Sequence, residues 1–389
     1  MLTIEQYRGA ETAALQGLPN RVAQIYVPIV FQQAGYPTRL ASPADLTKFA
    51  DVMQELRFVY TVDYMLAQVS DEELALLAKV VEITIAGLTG AGAQPIIPWN
   101  ALLRALLNYR HIRFVAPKGG RILELGPGSG YLGLMLVLGG FKYASTDVTE
   151  GFYLYQHHLM RTGLGQRFVD LAETGASHLT EDLFDEYDAA HVPWWAYHCQ
   201  QPREQSVTFD LVTCNHMLAE MAPLSLHYLF EYMAKSAEMK PGYPIFAFEH
   251  FGYDLVNVPN WYVNSRFYEY GYALCHHDTL ATVYAPRASP AGENGAAYPL
   301  VDLANRPDVA KIHEMGKQDM ASMWTPRKYH CPTNPLSRQV LDRREILRST
   351  LKHDRAAIVA HLNALLPGAA QPGEAPDELV LRAFGLGAH

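Results

Sequence analysis

The apolar positions follow two periods, and the change from one to the other divides the chain. Up to about residue 115 they recur at helical spacing. Ser42-Pro43-Ala44-Asp45 reads as a helix start, with a capping hydroxyl, a proline at the first helical position and an acid in the first turn, and Leu46, Phe49, Val52, Met53, Leu56 and Tyr60 follow on one face. Ser70 and Glu73 form a capping box for a helix carrying Leu74, Leu77, Val80, Val81 and Ile85 and ending near Gly90. Another helix begins after Pro98, with Trp99, Leu102, Leu103, Leu106 and Leu107.

From residue 116 short apolar runs take over. Strands are predicted at 122–125, 141–147, 189–195, 209–214 and 243–250, with helices after the first, second and fourth. The last pair, 272–277 and 279–285, is separated by almost nothing, which predicts an antiparallel edge hairpin. Strands alternating with helices give an open α/β sheet. Beyond residue 286, Ala288–Ala297 and Leu366–Pro376 read as linkers, and helical stretches are predicted at 302–317, 336–366 and 377–384. The predicted organisation is a helical N-terminal or cap region (1–115), an α/β domain (116–286) and a mostly helical C-terminal extension (287–389).

Composition narrows this picture. With 389 residues, 49% of them hydrophobic, the chain has ample material for a large core. A net charge of −9 without a basic stripe argues against a nucleic-acid partner. Cys199, Cys214, Cys275 and Cys331 are scattered and make no C-x-x-C, which favours reduced thiols in the cytoplasm over a structural zinc site. No secretory leader and no stretch of about 18 apolar residues is evident, so no membrane association is expected.

The chemistry is predicted where the first strand ends, in Glu124-Leu-Gly-Pro-Gly-Ser-Gly-Tyr131. Strand, glycine turn and helix are how an open parallel sheet makes room for a nucleotide-like ligand. The nicotinamide fingerprint G-x-G-x-x-G fails, because its third glycine would be residue 131, which is Tyr131. A phosphate-binding Walker loop fails for want of Gly-Lys-Ser/Thr. The spacing E-x-G-x-G-x-G is similar to motif I of the class I S-adenosylmethionine (SAM) methyltransferases. On that likeness Glu124, Gly126, Gly128, Ser129, Gly130 and Tyr131 form the cofactor turn, with Glu124 near the ligand's ammonium group. Asp147 ends the second strand 21 positions after Gly126, the spacing of an acid that binds a ribose diol.

Three more strand ends carry candidates. Asn215-His216-Met-Leu-Ala-Glu220 follows the fourth strand; if a helix starts there, Glu220 shares a face with His216 and orients it as a general base. Asn215 is a candidate for the amino-acid end of the cofactor, or for shaping the turn. Glu249-His250 ends the fifth strand and offers a second acid–imidazole pair; neighbours on a strand point to opposite faces, so one of the two faces the cleft. In Pro193-Trp194-Trp195 the aromatic faces suit adenine or a sugar, and Trp261, Tyr262, Tyr268, Tyr270 and Tyr272 extend that supply. No metal site is predicted: paired aspartates are missing after the fourth strand, and His157-His158 and His276-His277 have no helical partner set.

Taken together, ELGPGSGYLG, TDVTEGFYLYQ, PWW, CNHMLAEM and FEHFG resemble the sugar O-methyltransferase family over about residues 95–285. The resemblance implies a Rossmann-like class I methyltransferase sheet of seven strands, the last antiparallel. It implies methyl transfer from SAM to a sugar or glycoside hydroxyl, releasing S-adenosylhomocysteine (SAH). A small-molecule acceptor is the expected partner, and the helical regions are a candidate homodimer surface. Two alternatives stay open: N- or C-methylation of a small natural product, and a non-catalytic interaction protein that keeps a vestigial fold.

Overall fold

The computed structural model describes residues 1–17, 39–47, 69–198, 200, 207–215, 217–221, 223–249, 260–277, 282–287, 327–328, 361 and 364. In chain order the elements are α1 (Ile4–Leu15), α2 (Asp71–Gly90), α3 (Trp99–Val115), β1 (Arg121–Leu125), α4 (Tyr131–Leu138), β2 (Lys142–Thr146), α5 (Glu150–Leu164), β3 (Phe168–Asp170) and the short α6 (Leu171–Thr174). Then come α7 (Leu183–Glu186), β4 (Ala189–His191), α8 (Trp194–Tyr197), β5 (Leu211–Thr213), α9 (Pro223–Met239), β6 (Ile245–Phe248), α10 (Asn260–Glu269), β7 (Tyr272–His277), β8 (Thr282–Pro286) and β9 (Arg327–Lys328). The helix predicted from Ser42 is described only to residue 47, and the helices predicted after residue 300 lie outside the described residues.

One sheet runs through these strands in the order β3-β4-β2-β1-β5-β6-β8-β7-β9. β1 pairs in parallel with β2 and with β5, β6 continues in parallel from β5, and β8 runs antiparallel to both β6 and β7. All seven predicted strands are present, and the architecture is the Rossmann-like methyltransferase sheet with its antiparallel edge. Two strands were not expected. β9 adds two residues to the outer edge against β7. β3 flanks β4 on the other edge, in a stretch that the sequence presents as polar and acidic. With three residues, Phe-Val-Asp, it is too short to show an alternating pattern. The predicted strand 189–195 ends at His191, because Pro193 opens the helical turn α8 instead.

The parallel strands are apolar because both faces are covered. Every residue from Ile122 to Leu125 is buried, and so is α4 from Tyr131 to Val137. α2 packs on α5 and α4, and α3 packs on α4 and β6. The N-terminal helices therefore share one continuous core with the sheet, from Leu2 to Tyr284. On the antiparallel side Phe267 of α10 stacks on Tyr284 at 3.9 Å and meets Phe230 of α9 edge-on at 4.8 Å.

The predicted capping box is present: Glu73 N donates to Ser70 Oγ (3.2 Å) and Ser70 N to Glu73 Oε2 (3.0 Å). The same carboxylate takes Arg110 of α3 in a two-pronged pair, at 2.5 and 2.6 Å, with both side chains only 1% exposed. One acid thus caps α2 and joins it to α3. Glu73→Ala takes the counter-charge away from a buried guanidinium and is expected to cost about 3–5 kcal/mol of stability. Urea unfolding measures this, and Lys79→Ala, which removes an exposed pair with Glu82, serves as a near-neutral control.

Candidate functional site

The order of connections reverses at β1: the chain passes first to β2 on one side and later to β5 on the other. An open α/β sheet places its ligand crevice at such a switch, outside the carboxyl ends of the strands. The glycine turn leaves β1 there. Gly126, Gly128 and Gly130 all have left-handed backbones, with φ of 60°, 55° and 70°. Gly126 N donates to Thr146 O of β2 at 2.9 Å, which fixes the turn against the next strand. A Cβ on Gly126 would overlap the Met217 thioether, so the residue after His216 lies directly on the turn. Gly133 has a different reason: a Cβ there would overlap the ring of Tyr143.

That ring matters because the Tyr143 hydroxyl donates to Glu124 Oε2 at 2.7 Å. Glu124 is buried at 2% exposure, and burial lifts its pKa to about 7 against the opposing donors Tyr143 and Asn215. Asp147 is also buried. Its Oδ1 accepts from Thr149 N at 3.1 Å, and its Oδ2 accepts from Gln156 Nε2 at 3.0 Å. Burial again dominates and raises its pKa to about 6. Gln156 Nε2 also donates to Gly128 O at 2.8 Å, so one amide ties the glycine turn to the acid. Beside Asp147, Thr146 Oγ1 and Gln156 Oε1 are buried with no hydrogen-bond partner among the described residues.

The other buried acids among the described residues are matched by cations or imidazoles. Asp170 accepts from Tyr153 Oη (2.7 Å) and pairs with His157 Nδ1 (2.7 Å); burial opposes ionisation, but His157 and His191 outweigh it and hold the carboxyl below the ordinary range. Burial likewise opposes Glu150, yet Arg8, Leu40 N and Arg39 bring it below its ordinary value. Glu124 and Asp147 have no such cation among the described residues.

The other predicted site residues divide. Asn215 Oδ1 accepts from Glu249 N (2.9 Å) and its Nδ2 donates to Thr213 Oγ1 (3.1 Å), which stitches the ends of β5 and β6. Glu249 Oε2 accepts from Arg104 (3.0 Å) and Asn108 (3.4 Å) of α3; burial keeps its pKa raised even so. Tyr131 turns inward and shares a hydrogen bond with Tyr155 Oη (2.8 Å), so only its backbone faces the turn, while Ser129 is buried within it. Trp194 and Trp195 are buried beneath α1: Trp194 Nε1 donates to Glu11 (3.1 Å), and the Trp195 ring lies 5.2 Å from that of Tyr7. Of the aromatic candidates after β6, Tyr262 and Tyr268 fall on α10, the first half-buried and the second buried, and Tyr272 is buried in β7.

His216 and His250 lie outside the described residues, as does the contact either one makes. The helix after the fourth strand runs from Pro223 to Met239, as the sequence predicts; residues 218–220 form a single 3₁₀ turn, so the condition for His216 and Glu220 to share a helical face is not met. A proline lacks the N–H that a helix interior needs and restricts the residue before it, so the helix starts there and not at 216. The sequence reading missed Tyr143, Gln156 and Glu150. Glu150 and Gln156 fall within TDVTEGFYLYQ, but nothing in that run shows that Gln156 bonds Asp147 and Gly128 or that Glu150 pairs with Arg8, and Tyr143 is an ordinary strand residue until its ring meets Glu124.

No family model matches the chain, and no curated protein matches it. Solved structures overlap part of it. A TehB-like SAM-dependent methyltransferase from Corynebacterium glutamicum is 15% identical, covering 46% of this chain and 85% of its own, with a TM-score of 0.29. The O-methyltransferase TomG from Streptomyces achromogenes is 15% identical, covering 59% and 94%, at 0.31. The [4+2]-cyclase SpnF is 17% identical, covering 46% and 61%, at 0.30. At these scores the likenesses carry no argument about activity, which rests on the residues above.

Gln156→Leu removes a donor that favours ionised Asp147, so the Asp147 pKa is expected to rise above about 6. Carboxyl-carbon NMR titration measures it, with Asp147→Asn identifying the resonance; an unchanged midpoint would show that the amide does not act on the acid.

Proposed function

We propose that the chain is a SAM-dependent methyltransferase acting on a hydroxyl of a sugar or glycosylated small molecule. The observation that carries this reading is the pair of buried carboxylates, Glu124 and Asp147, on either side of a turn built on three left-handed glycines. A pyrophosphate ligand would place anions against two acids, whereas a ligand bearing an ammonium, a sulfonium and a ribose diol suits them. Thr146 Oγ1 and Gln156 Oε1 offer further polar atoms beside the same acid.

When bound, SAM supplies an activated methyl group on a sulfonium. The residues then have separate tasks. Asp147 accepts from the ribose hydroxyls, held in place by Thr149 and Gln156. Glu124 faces the amino-acid end, held by Tyr143. The acceptor hydroxyl is a poor nucleophile until its proton is leaving, so a base is needed, and His216 and His250 at the strand ends are the proposed bases. Glu220 and Glu249 remain candidates for orienting them. An amine acceptor would need little base, which is how N-methylation is told apart.

Incubation with SAM and a panel of glycosides is expected to add one methyl group to a glycoside, read by mass spectrometry. His216→Ala or His250→Ala, whichever removes the base, is expected to lower kcat by about 10²–10⁴-fold with SAM affinity retained. Methylation of amines alone, unaffected by both substitutions, would overturn the sugar reading.

Binding should also depend on pH. The unliganded site holds protons on Glu124 up to about 7 and on Asp147 up to about 6, and a cationic ligand favours their ionised forms. Both pKa values lie above those of unfolded carboxylates, so the free protein loses stability from these groups as pH rises, while the ligand gains affinity over the same range. Calorimetry at pH 8 and pH 5.5 is expected to show weaker SAM binding at the lower pH, and Asp147→Asn is expected to flatten the profile.

A further inference from the structure

The N-terminal helix α1 is held by polar ties more than by an apolar face. Its buried side chains are Ile4, Tyr7 and Glu11, one stripe in which two of three members are polar. Leu2 N, just before it, donates to His157 Nε2 at 2.9 Å. Arg8 grips Glu150 through two nitrogens, at 2.8 and 2.7 Å, and Leu40 N and Arg39 Nη1 reach the same carboxylate at 2.8 and 2.9 Å. Glu11 takes Trp194 Nε1 on one side and Arg39 at 2.7 Å on the other. Glu150 stands three residues after Asp147, in the first turn of α5. The ties therefore anchor α1 to the loop that carries the proposed ribose acid.

Tyr7 sits in the middle of these ties. Its ring packs 4.9 Å from Tyr153 and 5.2 Å from Trp195, and the residue is completely buried. Its hydroxyl has no hydrogen-bond partner among the described residues. A buried hydroxyl left unpaired is costly, and native structures avoid it unless the group has a task. Burial, then Glu11, Asp147 and Glu150, hold the phenol well above the usual tyrosine range against the opposing Arg39, so it stays a neutral donor. Tyr153, against which its ring packs, lies in the first turn of α5, the helix that follows Asp147.

We propose that α1 forms a wall of the cofactor pocket and that Tyr7 donates its hydroxyl to the bound cofactor at the ribose end. The inference rests on the SAM reading and adds a binding residue from outside the sheet domain. In the free protein the hydroxyl is a cost to the fold, and in the bound state it gains a partner. Removing it should therefore move stability and affinity in opposite directions, which a purely structural tyrosine would not do.

The test compares the wild type with Tyr7→Phe and Arg8→Ala by SAH calorimetry and thermal unfolding without ligand. Tyr7→Phe is expected to weaken SAH binding by about fivefold to tenfold while the ligand-free Tm holds or rises. Arg8→Ala, which loosens α1 from Glu150, is expected to weaken SAH binding as well. If Tyr7→Phe binds SAH as the wild type does, or loses Tm and affinity in parallel, the inference is overturned while the cofactor reading stands. If the wild type binds neither SAM nor SAH, the cofactor reading fails and this inference with it.

Discussion

Two carboxylates buried without a cation set the terms for the rest of the site. Elsewhere the chain matches its buried acids: Glu73 has Arg110, Glu150 has Arg8 and Arg39, and Asp170 has His157. Glu124 and Asp147 are given only neutral donors among the described residues, and their pKa values rise to about 7 and 6. Neutral donors fix the direction of a carboxylate without cancelling its charge. The surroundings serve that arrangement. Gly133 makes room for the Tyr143 ring, which holds Glu124, and Gln156 spans from Asp147 to the Gly128 carbonyl. The left-handed glycines give the turn between them its shape, and Met217 packs directly over Gly126.

This arrangement costs stability, and the paired acids lie where they can offset it. Glu73 joins α2 to α3, and α3 in turn reaches the end of β6 through Arg104 and Glu249. Glu150 collects Arg8 and Arg39 from the N-terminal segment directly after Asp147. The strong pairs thus surround the weak point and stitch helices to the loops at the carboxyl edge. Buried pairs of this kind add little net stability over an apolar core, yet breaking one is expensive, so they favour one arrangement over its alternatives.

Local patterns made much of the fold legible. The glycine turn, the distance from Gly126 to Asp147, the Ser70–Glu73 box and the tight hairpin are each written within a few tens of residues. β3 was not legible, since three residues show no period and their neighbours are polar. The helix from Pro223 was legible from its proline start, whereas the i, i+4 spacing of His216 and Glu220 could not show whether a helix joins them, and residues 218–220 form a 3₁₀ turn. Long-range pairs left no trace at all: Arg8 and Glu150 are 142 residues apart, and Arg104 and Glu249 are 145 apart. Only the fold shows that the N-terminal segment is tied to Glu150, three residues after Asp147.

The same ties narrow the choice of base. Glu249 and Asn215 stand at strand ends, where the chemistry of an open sheet is carried out, but both are already engaged. A proton taken up by Glu249 would forfeit its pairing with Arg104, and Asn215 accepts from Glu249 N and donates to Thr213 and Glu124. These contacts tie the ends of β5 and β6 to each other and to α3. In the proposed reaction Glu124 and Asp147 serve the ligand that carries the methyl group. The base proposed for the acceptor's proton is an imidazole, and the sequence supplies one beside each of these positions: His216 follows Asn215, and His250 follows Glu249.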